Sequence, residues 1–190
     1  MPKRFINPSL ADVTEDIAGA VPLEIIQKWI TSNKTKKLHE DILKNYLVEG
    51  TVVASDSAGL SKLSEELDLL EVMKIVSHPK DLVYKYGSEI GGVGIGIWAA
   101  DNTEMFYPKS VSPKLIYEKM QQVQKELENF SLHIGMAIHY GKFIKIGGGL
   151  FGDEADFVED LAENHTEGGE IKLTKSFSKL LNDKHISNTI

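Results

Sequence analysis

Hydrophobic and polar positions follow two different periods along this chain, and the change from one to the other comes at Thr51. Before it, apolar residues recur at helical spacing and predict three helices, at "LADVTEDIAGAV", "PLEIIQKWITSN" and "KKLHEDILKNYL". From Thr51 the β-branched run "TVVAS" predicts a buried strand. We therefore expect a helical N-terminal extension over 1–47 and a separate domain over 48–190.

Helices and strands alternate through the rest of the predicted domain. The stretch "SAGLSKLSEELDLLEVMKIVS" has leucines at helical spacing, Pro79 interrupts the pattern, and "KDLVYKYGSEI" predicts a second short helix. A hairpin with a tight turn at Ala100, Asp101 and Asn102 is predicted in "GGVGIGIWAADNTEMFYP". "SPKLIYEKMQQVQKELENF" predicts a helix capped at Ser112. The remaining elements are the strand pair "SLHIGMAIHYGKFIKIGGGLFG", the helix "DEADFVEDLAENH", the strand "GGEIKLT" and a short tail helix.

This order of elements predicts an α+β fold of the ferredoxin-like or palm type, in which helices pack on a split βαβ sheet. In that topology the end of the first strand and the turn of the hairpin lie side by side. Asp56 occupies the first place and Asp101 the second. Two converging carboxylates suit a hard cation such as Mg²⁺, so the sequence predicts a metal site at this edge. The alternatives are an N-cap role for Asp56 and an ordinary turn role for Asp101.

Composition excludes several classes of function. Of the 190 residues, 42% are hydrophobic and 26% are charged, which is typical of a folded soluble domain. Cysteine is absent, and we see neither a signal-like segment nor a long apolar run, so we expect a cytoplasmic protein without disulfides. The net charge of −7 disfavours nonspecific binding to nucleic acid or to an anionic membrane. A nucleotide would need metal ions to enter so acidic a site.

Short motifs, in order along the chain, carry a resemblance to a known family. "DSAGLSKL", which begins at Asp56, resembles the pattern Asp, aliphatic, any, Gly, Phe, Ser or Thr, any, Leu. "GVGIGIWAADNTEMFYP" overlays a hairpin motif that ends in Gly-Asp and a Phe-Pro strand, with Asp101 on its aspartate. "AIHYG", "FGDEADFVEDLAE" and "GGEIKLT" echo the later signature. The region from Thr51 to Lys175 therefore resembles the catalytic domain of class III adenylate and guanylate cyclases.

The resemblance implies a specific chemistry. In that family a head-to-tail dimer builds the active site, and two Mg²⁺ or Mn²⁺ ions activate the ribose 3′-hydroxyl of ATP or GTP. Attack on the α-phosphorus then expels pyrophosphate, so an active enzyme would be a phosphorus-oxygen lyase. The matching positions for the metal are Asp56, Ser57 and Asp101, and those for the nucleotide are Gly59, Leu60, Ser61, Ile97 and Gly149.

Four positions depart from the family pattern. Its base-selecting lysine and the partner aspartate fall on Ile97 and Gly149, its ribose-orienting asparagine on Asp156, and its phosphate-stabilising arginine on Asp160. Losing one such donor typically slows a reaction by ~10²- to 10³-fold. We therefore expect weak activity, or activity only in a heterodimer with another cyclase-like domain, because each site of a homodimer would be defective. The alternatives are a catalytically inactive homologue acting as a regulatory or dimerisation module in signalling, and an unrelated palm-like binding module.

Overall fold

The computed structural model describes residues 21–96, 98 and 101–181, which form helices around a mixed sheet. The helices are α1 Leu23–Ile30, α2 Lys36–Leu43, α3 Leu60–Glu66, α4 Leu69–Glu89, α5 Pro113–Leu127, α6 Asp153–His165 and α7 Lys175–Ser178. The strands are β1 Leu47–Ala58, β2 Val93–Gly94, β3 Thr103–Pro108, β4 His133–Ile146, β5 Gly149–Phe151 and β6 Ile171–Leu173. The predicted α+β class is confirmed.

Two long central strands organise the sheet. Its order is β2-β3-β1-β4-β5, with every neighbouring pair antiparallel, and β6 joins β4 in parallel. β1 and β4 pair along the whole of β1, from Leu47 opposite Ile144 to Ala58 opposite His133. β3 covers the other edge of β1 only as far as Ser55, which lies opposite Thr103. The last residues of β1 are therefore paired on one side only.

Helices cover both faces of the sheet, and the alternation of side chains along β1 decides which face each residue meets. Val53 packs in the core formed with α4 and α5, which includes Met105, Tyr107 and Met120. Val52 and Ala54 pack in the second core with α6; its other members include Phe106, Ala137, Val158 and Ala162. Asp56, two residues beyond Ala54, consequently points to the α6 side of the sheet.

The N-terminal predictions are confirmed in part. The predicted helix at residues 10–21 lies almost wholly outside the described residues. α1 and α2 form where helices were predicted, although Pro22 precedes α1 as its cap residue instead of opening the helix. A single 3₁₀ turn at Lys44–Tyr46 then leads directly into β1. The division of the chain at residue 47 stays a prediction.

The helical region after β1 differs from its prediction in two ways. The stretch predicted as one helix is two helices, because Asp68 caps a new one: its carboxylate accepts from the backbone N–H groups of Leu70 and Glu71 at 3.0 and 3.1 Å. Pro79, predicted to interrupt the pattern, lies buried inside the continuous helix α4. Leu70, one of the leucines at helical spacing in this stretch, is 77% exposed.

β1 is longer than predicted, whereas the first strand of the hairpin is shorter. β1 continues past Asp56 to Ala58 because β4 pairs with it to the end. β2 and β3 form the predicted antiparallel hairpin, but the connection between them runs from Ile95 to Asn102 and is no tight turn. Ala100, assigned to that turn, lies outside the described residues. Helices α5 and α6 confirm their predictions, although the Ser112 side chain makes no cap bond.

Candidate functional site

Two aspartates meet where β1 and β3 separate. After the pair Ser55 and Thr103, β1 continues beside β4 while the chain before β3 turns away through Asp101. The Ser57 hydroxyl donates a hydrogen bond to Asp101 Oδ2, which joins the two segments. Asp56 lies close enough to Asp101 for their charges to interact. The structure thus brings together the three residues predicted for the metal.

The surroundings of Asp56 disfavour its charged form. Partial burial raises the pKa of Asp56 to about 6, the nearby charge of Asp101 adds to the shift, and Glu163 of α6 adds less. A hydrogen bond from the Ser57 backbone opposes the increase in this pKa. Like charges held together favour protonation or a bound cation.

Asp56 and Asp101, called the acid pair below, offer oxygen ligands that fit a hard divalent ion. Carboxylate oxygens are the ligands that Mg²⁺ prefers, and it commonly takes only one or two of them together with waters and substrate phosphates. Across the described ranges, no three histidine, aspartate or glutamate side chains cluster closely enough to hold a metal. An ion at Asp56 and Asp101 would therefore draw its remaining ligands from water and from a phosphate.

A buried pair of hydroxyl groups lies next to the two aspartates in the chain, on the opposite face of the sheet. Ser55 Oγ and Thr103 Oγ1 lie 2.6 Å apart, and their residues are only 2% and 4% exposed. This cross-strand bond fixes β1 against β3 at the last paired position before the aspartates. Sequence reasoning missed it, and its only signal was a hydroxyl residue in each of two apolar strands.

Beside the acid pair, on the α6 side of the sheet, lies a cavity of about 220 Å³. Its apolar lining consists of Ala54, Ile95, Trp98 and Ala162. The Trp98 indole N–H donates to the carbonyls of Ile95 and Glu104, at 3.0 and 3.2 Å, so the ring is fixed at the wall. The sequence pattern gave no indication of this cavity.

Three glutamates, Glu104, Glu159 and Glu163, line the cavity. Burial raises the pKa of Glu104 to about 8, with a smaller contribution from the charge of Glu159. The Oε1 atom of Glu104 is buried and has no hydrogen-bond partner among the described residues. Burial also raises the pKa of Glu159, to which Glu163 and Asp156 add. The cavity is therefore lined by acidic residues, and the carboxyl group of Glu104 has an oxygen without a hydrogen-bond partner among the described residues.

The predicted nucleotide residues lie in two places. Gly59, Leu60 and Ser61 follow β1 directly and begin α3; the positive φ of Gly59, 87°, makes the turn. Gly149 is buried at the start of β5, and its neighbour Gly148 accepts from the backbone N–H of Gly96 at 2.8 Å, which brings the β4–β5 hairpin to the cavity wall. Ile97 lies outside the described residues.

Asp156 and Asp160 are both exposed on α6. Asp160 accepts from the Asn164 side chain at 2.9 Å and lies 3.3 Å from the Nε2 atom of His165. Asp156 belongs to the acidic side of the helix near Glu159. The structure therefore presents exposed carboxylates at the two positions to which the resemblance assigns an amide and a guanidinium donor.

Comparison with solved structures identifies this architecture. The adenylyl cyclase CyaB from P. aeruginosa superposes with a TM-score of 0.60 at 18% identity, covering 73% of this chain and 82% of that one. The guanylyl cyclase Cya2 gives 0.65 at 18% identity over 74% and 82%. The chain has the fold of a nucleotide cyclase catalytic domain.

A domain solved with bound nucleotide has a similar fold. The guanylate cyclase domain of RhGC from Catenaria anguillulae, in complex with GTP, matches with a TM-score of 0.57 at 15% identity over 74% of this chain and 86% of that one.

No family model matches the sequence, and no curated protein sequence matches it significantly. Within the part of the chain that the structure describes, no helix is long and apolar enough to cross a membrane.

Proposed function

We propose that this chain is a nucleotide cyclase-like domain that binds a nucleoside triphosphate together with Mg²⁺ or Mn²⁺. The observation that carries the proposal is the meeting of Asp56 and Asp101 at the open end of β1, joined through Ser57. A purely structural site has no need for two like charges that raise each other's energy. The cyclase fold supports the same conclusion independently.

The residues of the site have separate tasks in this proposal. Asp56 and Asp101 hold the metal, and the Ser57 hydroxyl orients the Asp101 carboxylate. A bound divalent ion would neutralise the phosphate oxygens and lower the pKa of an attacking hydroxyl. Gly59 and Ser61, exposed beside the acid pair, give a triphosphate room to approach the start of α3. The reaction assigned to the site is conversion of ATP or GTP to a cyclic nucleotide and pyrophosphate.

Turnover is weak or depends on a partner in this proposal. The exposed carboxylates of Asp156 and Asp160 would repel a triphosphate where the cyclase motif supplies donors. A homodimer would place these acids in both sites. A heterodimer with another cyclase-like domain would leave one site with the metal aspartates from this chain and the donors from its partner.

A second candidate is a catalytically inactive homologue that acts as a regulatory or dimerisation module in signalling. The same two residues, Asp156 and Asp160, favour it, since they remove the donors of the reaction while leaving the fold intact. The two candidates differ in whether the acid pair binds metal and nucleotide.

Calorimetry with a nonhydrolysable ATP or GTP analogue and Mn²⁺ distinguishes them. We expect Mn²⁺-dependent binding by the wild type that weakens at least about tenfold in Asp56→Asn and in Asp101→Asn, because each loses a charged ligand. Asp81→Asn, which changes an exposed aspartate of α4, is the matched control and should bind like the wild type.

Flat titrations for the wild type with both analogues would overturn the first candidate and leave the regulatory one. If binding is present, cyclic nucleotide should form when the chain is mixed with a domain that carries the asparagine and arginine donors. Unchanged binding in both aspartate variants would place the nucleotide elsewhere and contradict the assigned site.

A further inference from the structure

The connection between β2 and β3 carries Asp101, one of the two proposed metal ligands. It runs from Ile95 to Asn102, and the ladder that joins β3 to β1 begins only at Thr103. Asp101 therefore precedes the paired part of β3, and its backbone takes no part in the ladder between these two strands. Its carboxylate accepts a hydrogen bond from the Ser57 hydroxyl of β1. Support from a second element would hold this ligand from two sides.

Trp98 is a fixed point of the same connection. Its indole N–H donates to the carbonyls of Ile95 and Glu104, at 3.0 and 3.2 Å, which ties the ring to the hairpin. The ring also lies against the backbone of β2, since a Cβ placed on Gly94 would be 3.4 Å from the indole. The chain from Trp98 to Asp101 can span at most about 11 Å. A displacement of Trp98 would therefore shift the backbone that leads into Asp101.

Two side chains of α4 contact Trp98. The Lys80 ammonium group donates to the Trp98 carbonyl at 2.5 Å. Tyr84 lies four residues later, on the same face of the helix, and its ring meets the indole edge-on with centroids 5.9 Å apart. A hydrogen bond from a charged donor is stronger than one between neutral groups. α4 thus holds both the backbone and the side chain of Trp98.

The helix that provides these two contacts is itself well anchored. Pro79, Leu82 and Val83, which alternate with the contact residues along α4, are buried. Tyr84 is 56% exposed, by contrast, and Lys80 is only partly buried. The core therefore fixes α4 without the help of either contact residue, and replacing them should leave the fold in place.

We propose that Lys80 and Tyr84 are positioning residues, which place Asp101 against Asp56 by holding Trp98. This inference rests on the proposed metal-binding function. Neither residue lies in any of the motifs that carry the cyclase resemblance. Both act on the metal through the chain, without touching it.

The acid pair needs such support because its members carry like charges close enough to interact. Without a cation, repulsion would drive an unrestrained Asp101 away from Asp56. Bringing the two carboxylates back together would then reduce the affinity for an ion. Groups that orient metal ligands in advance avoid this cost, and losing one of them typically lowers metal affinity by about 10- to 100-fold.

Titration of the whole chain with Mn²⁺, with and without a nonhydrolysable ATP or GTP analogue, tests the proposal. Electron paramagnetic resonance of the free ion measures the affinity. Lys80→Met removes the donor and keeps a side chain of similar length, so we expect Mn²⁺ binding about tenfold weaker. Lys80→Arg keeps a charged donor and should bind within about threefold of the wild type. Tyr84→Ala should weaken binding in the same direction.

Two comparisons separate positioning from a general loss of structure. Lys74→Met changes an exposed lysine of the same helix and should bind Mn²⁺ like the wild type. Because Lys80 acts through Asp101, adding Lys80→Met to Asp101→Asn should cause less than about a twofold further loss. A merely structural role would give the same loss in both backgrounds. Thermal unfolding of each variant establishes that it is folded.

The Trp98 indole N–H gives a readout that does not depend on metal. We expect its hydrogen exchange, followed by nuclear magnetic resonance, to become faster in Lys80→Met and Tyr84→Ala than in Lys74→Met. Unchanged exchange, wild-type Mn²⁺ affinity in both variants, or an equal loss in the Asp101→Asn background would overturn the inference and leave the metal site intact. A wild type that binds no Mn²⁺, alone or with either analogue, would overturn the proposed function and this inference with it.

Discussion

At the scale of single residues, Asp56 illustrates the cost of partly burying a carboxylate beside a second one. Its pKa is raised from 3.8 to about 6, so the fold disfavours its charged form. The stability that goes with the protonated form is present below about pH 4 and is lost as the pH rises from about 4 to about 6. Above that range the metal-free protein carries the full penalty.

Asp56→Asn should remove this penalty. We expect the variant to exceed the wild type in free energy of unfolding by about 1 kcal/mol at neutral pH, after allowing for solvent screening of a part-buried carboxylate, and by little at pH about 4. Urea unfolding without metal at both pH values measures the difference. An equal difference at both values would show that charge is not its cause. Added Mn²⁺ should stabilise the wild type and not the variant.

Residues of the candidate site differ in how far the sequence could reveal them. Asp56 and Asp101 were predictable because each ends or follows an apolar run and the topology brings such places together. Glu104 was not, since a single acid in a strand reads as a solvent-facing position, and only the packing of α6 shows that it is buried. Gly59 was placed correctly after β1 because a glycine there permits the left-handed turn into α3.

At the scale of elements, Asp68 divides one apolar pattern into two helices. Its side chain accepts from two backbone N–H groups at the start of α4, which are otherwise unpaired. Asp68→Ala should lower the free energy of unfolding by about 1 kcal/mol. Chemical denaturation measures this, with Asp81→Ala, an exposed change within the same helix, as the control. Equal effects of the two changes would contradict a capping role.

Element boundaries were less predictable than the elements themselves. The helix α6 was predicted with its observed bounds because glycine precedes it and its apolar residues keep helical spacing. Pro79 misled the prediction for α4, because a proline removes one hydrogen bond of a helix but packing can compensate for the loss. Pro79 is one of the buried residues of α4, together with Val76, Leu82 and Val83. Local propensity could not reveal that this face of the helix is buried in the core.

At the scale of the whole molecule, His139 joins three elements that are distant in sequence. Its Nδ1 atom lies 3.0 Å from Thr174 Oγ1 and 3.2 Å from Ser176 Oγ, and its Nε2 atom lies 3.3 Å from Glu154 Oε2. Burial lowers the pKa of His139, although the Glu154 carboxylate opposes the shift. The buried ring is therefore held in its neutral form between β4, α6 and the start of α7.

Acid should weaken this junction. Because the folded pKa of His139 is below the unfolded value of about 6.5, the stability due to the neutral ring is full above that pH and is lost as the pH falls below it. His139→Gln should lower stability at neutral pH and reduce its decline between about pH 7 and about pH 5. Thermal unfolding across this range measures both effects. A decline as steep in the variant as in the wild type would assign it to other groups.

The overall architecture was more accessible to sequence reasoning than the detailed packing. Alternation of strand and helix patterns predicted the fold class, and the motifs in order pointed to the cyclase fold, which the structure has. The sheet order, the parallel pairing of β6 with β4 and the cavity under α6 depend on long-range contacts that no local pattern encodes.

The position of Trp98 makes the molecule convenient for optical measurement. Trp29 and Trp98 are the two tryptophans of the chain, and Trp98 lies in the cavity wall with its indole bonded to the Glu104 carbonyl. A Trp29→Phe background would leave Trp98 as the one tryptophan, located in the wall of the cavity. Since the chain has no cysteine, one introduced thiol could carry an acceptor dye at a chosen place, and energy transfer could follow ligand entry in solution without further engineering.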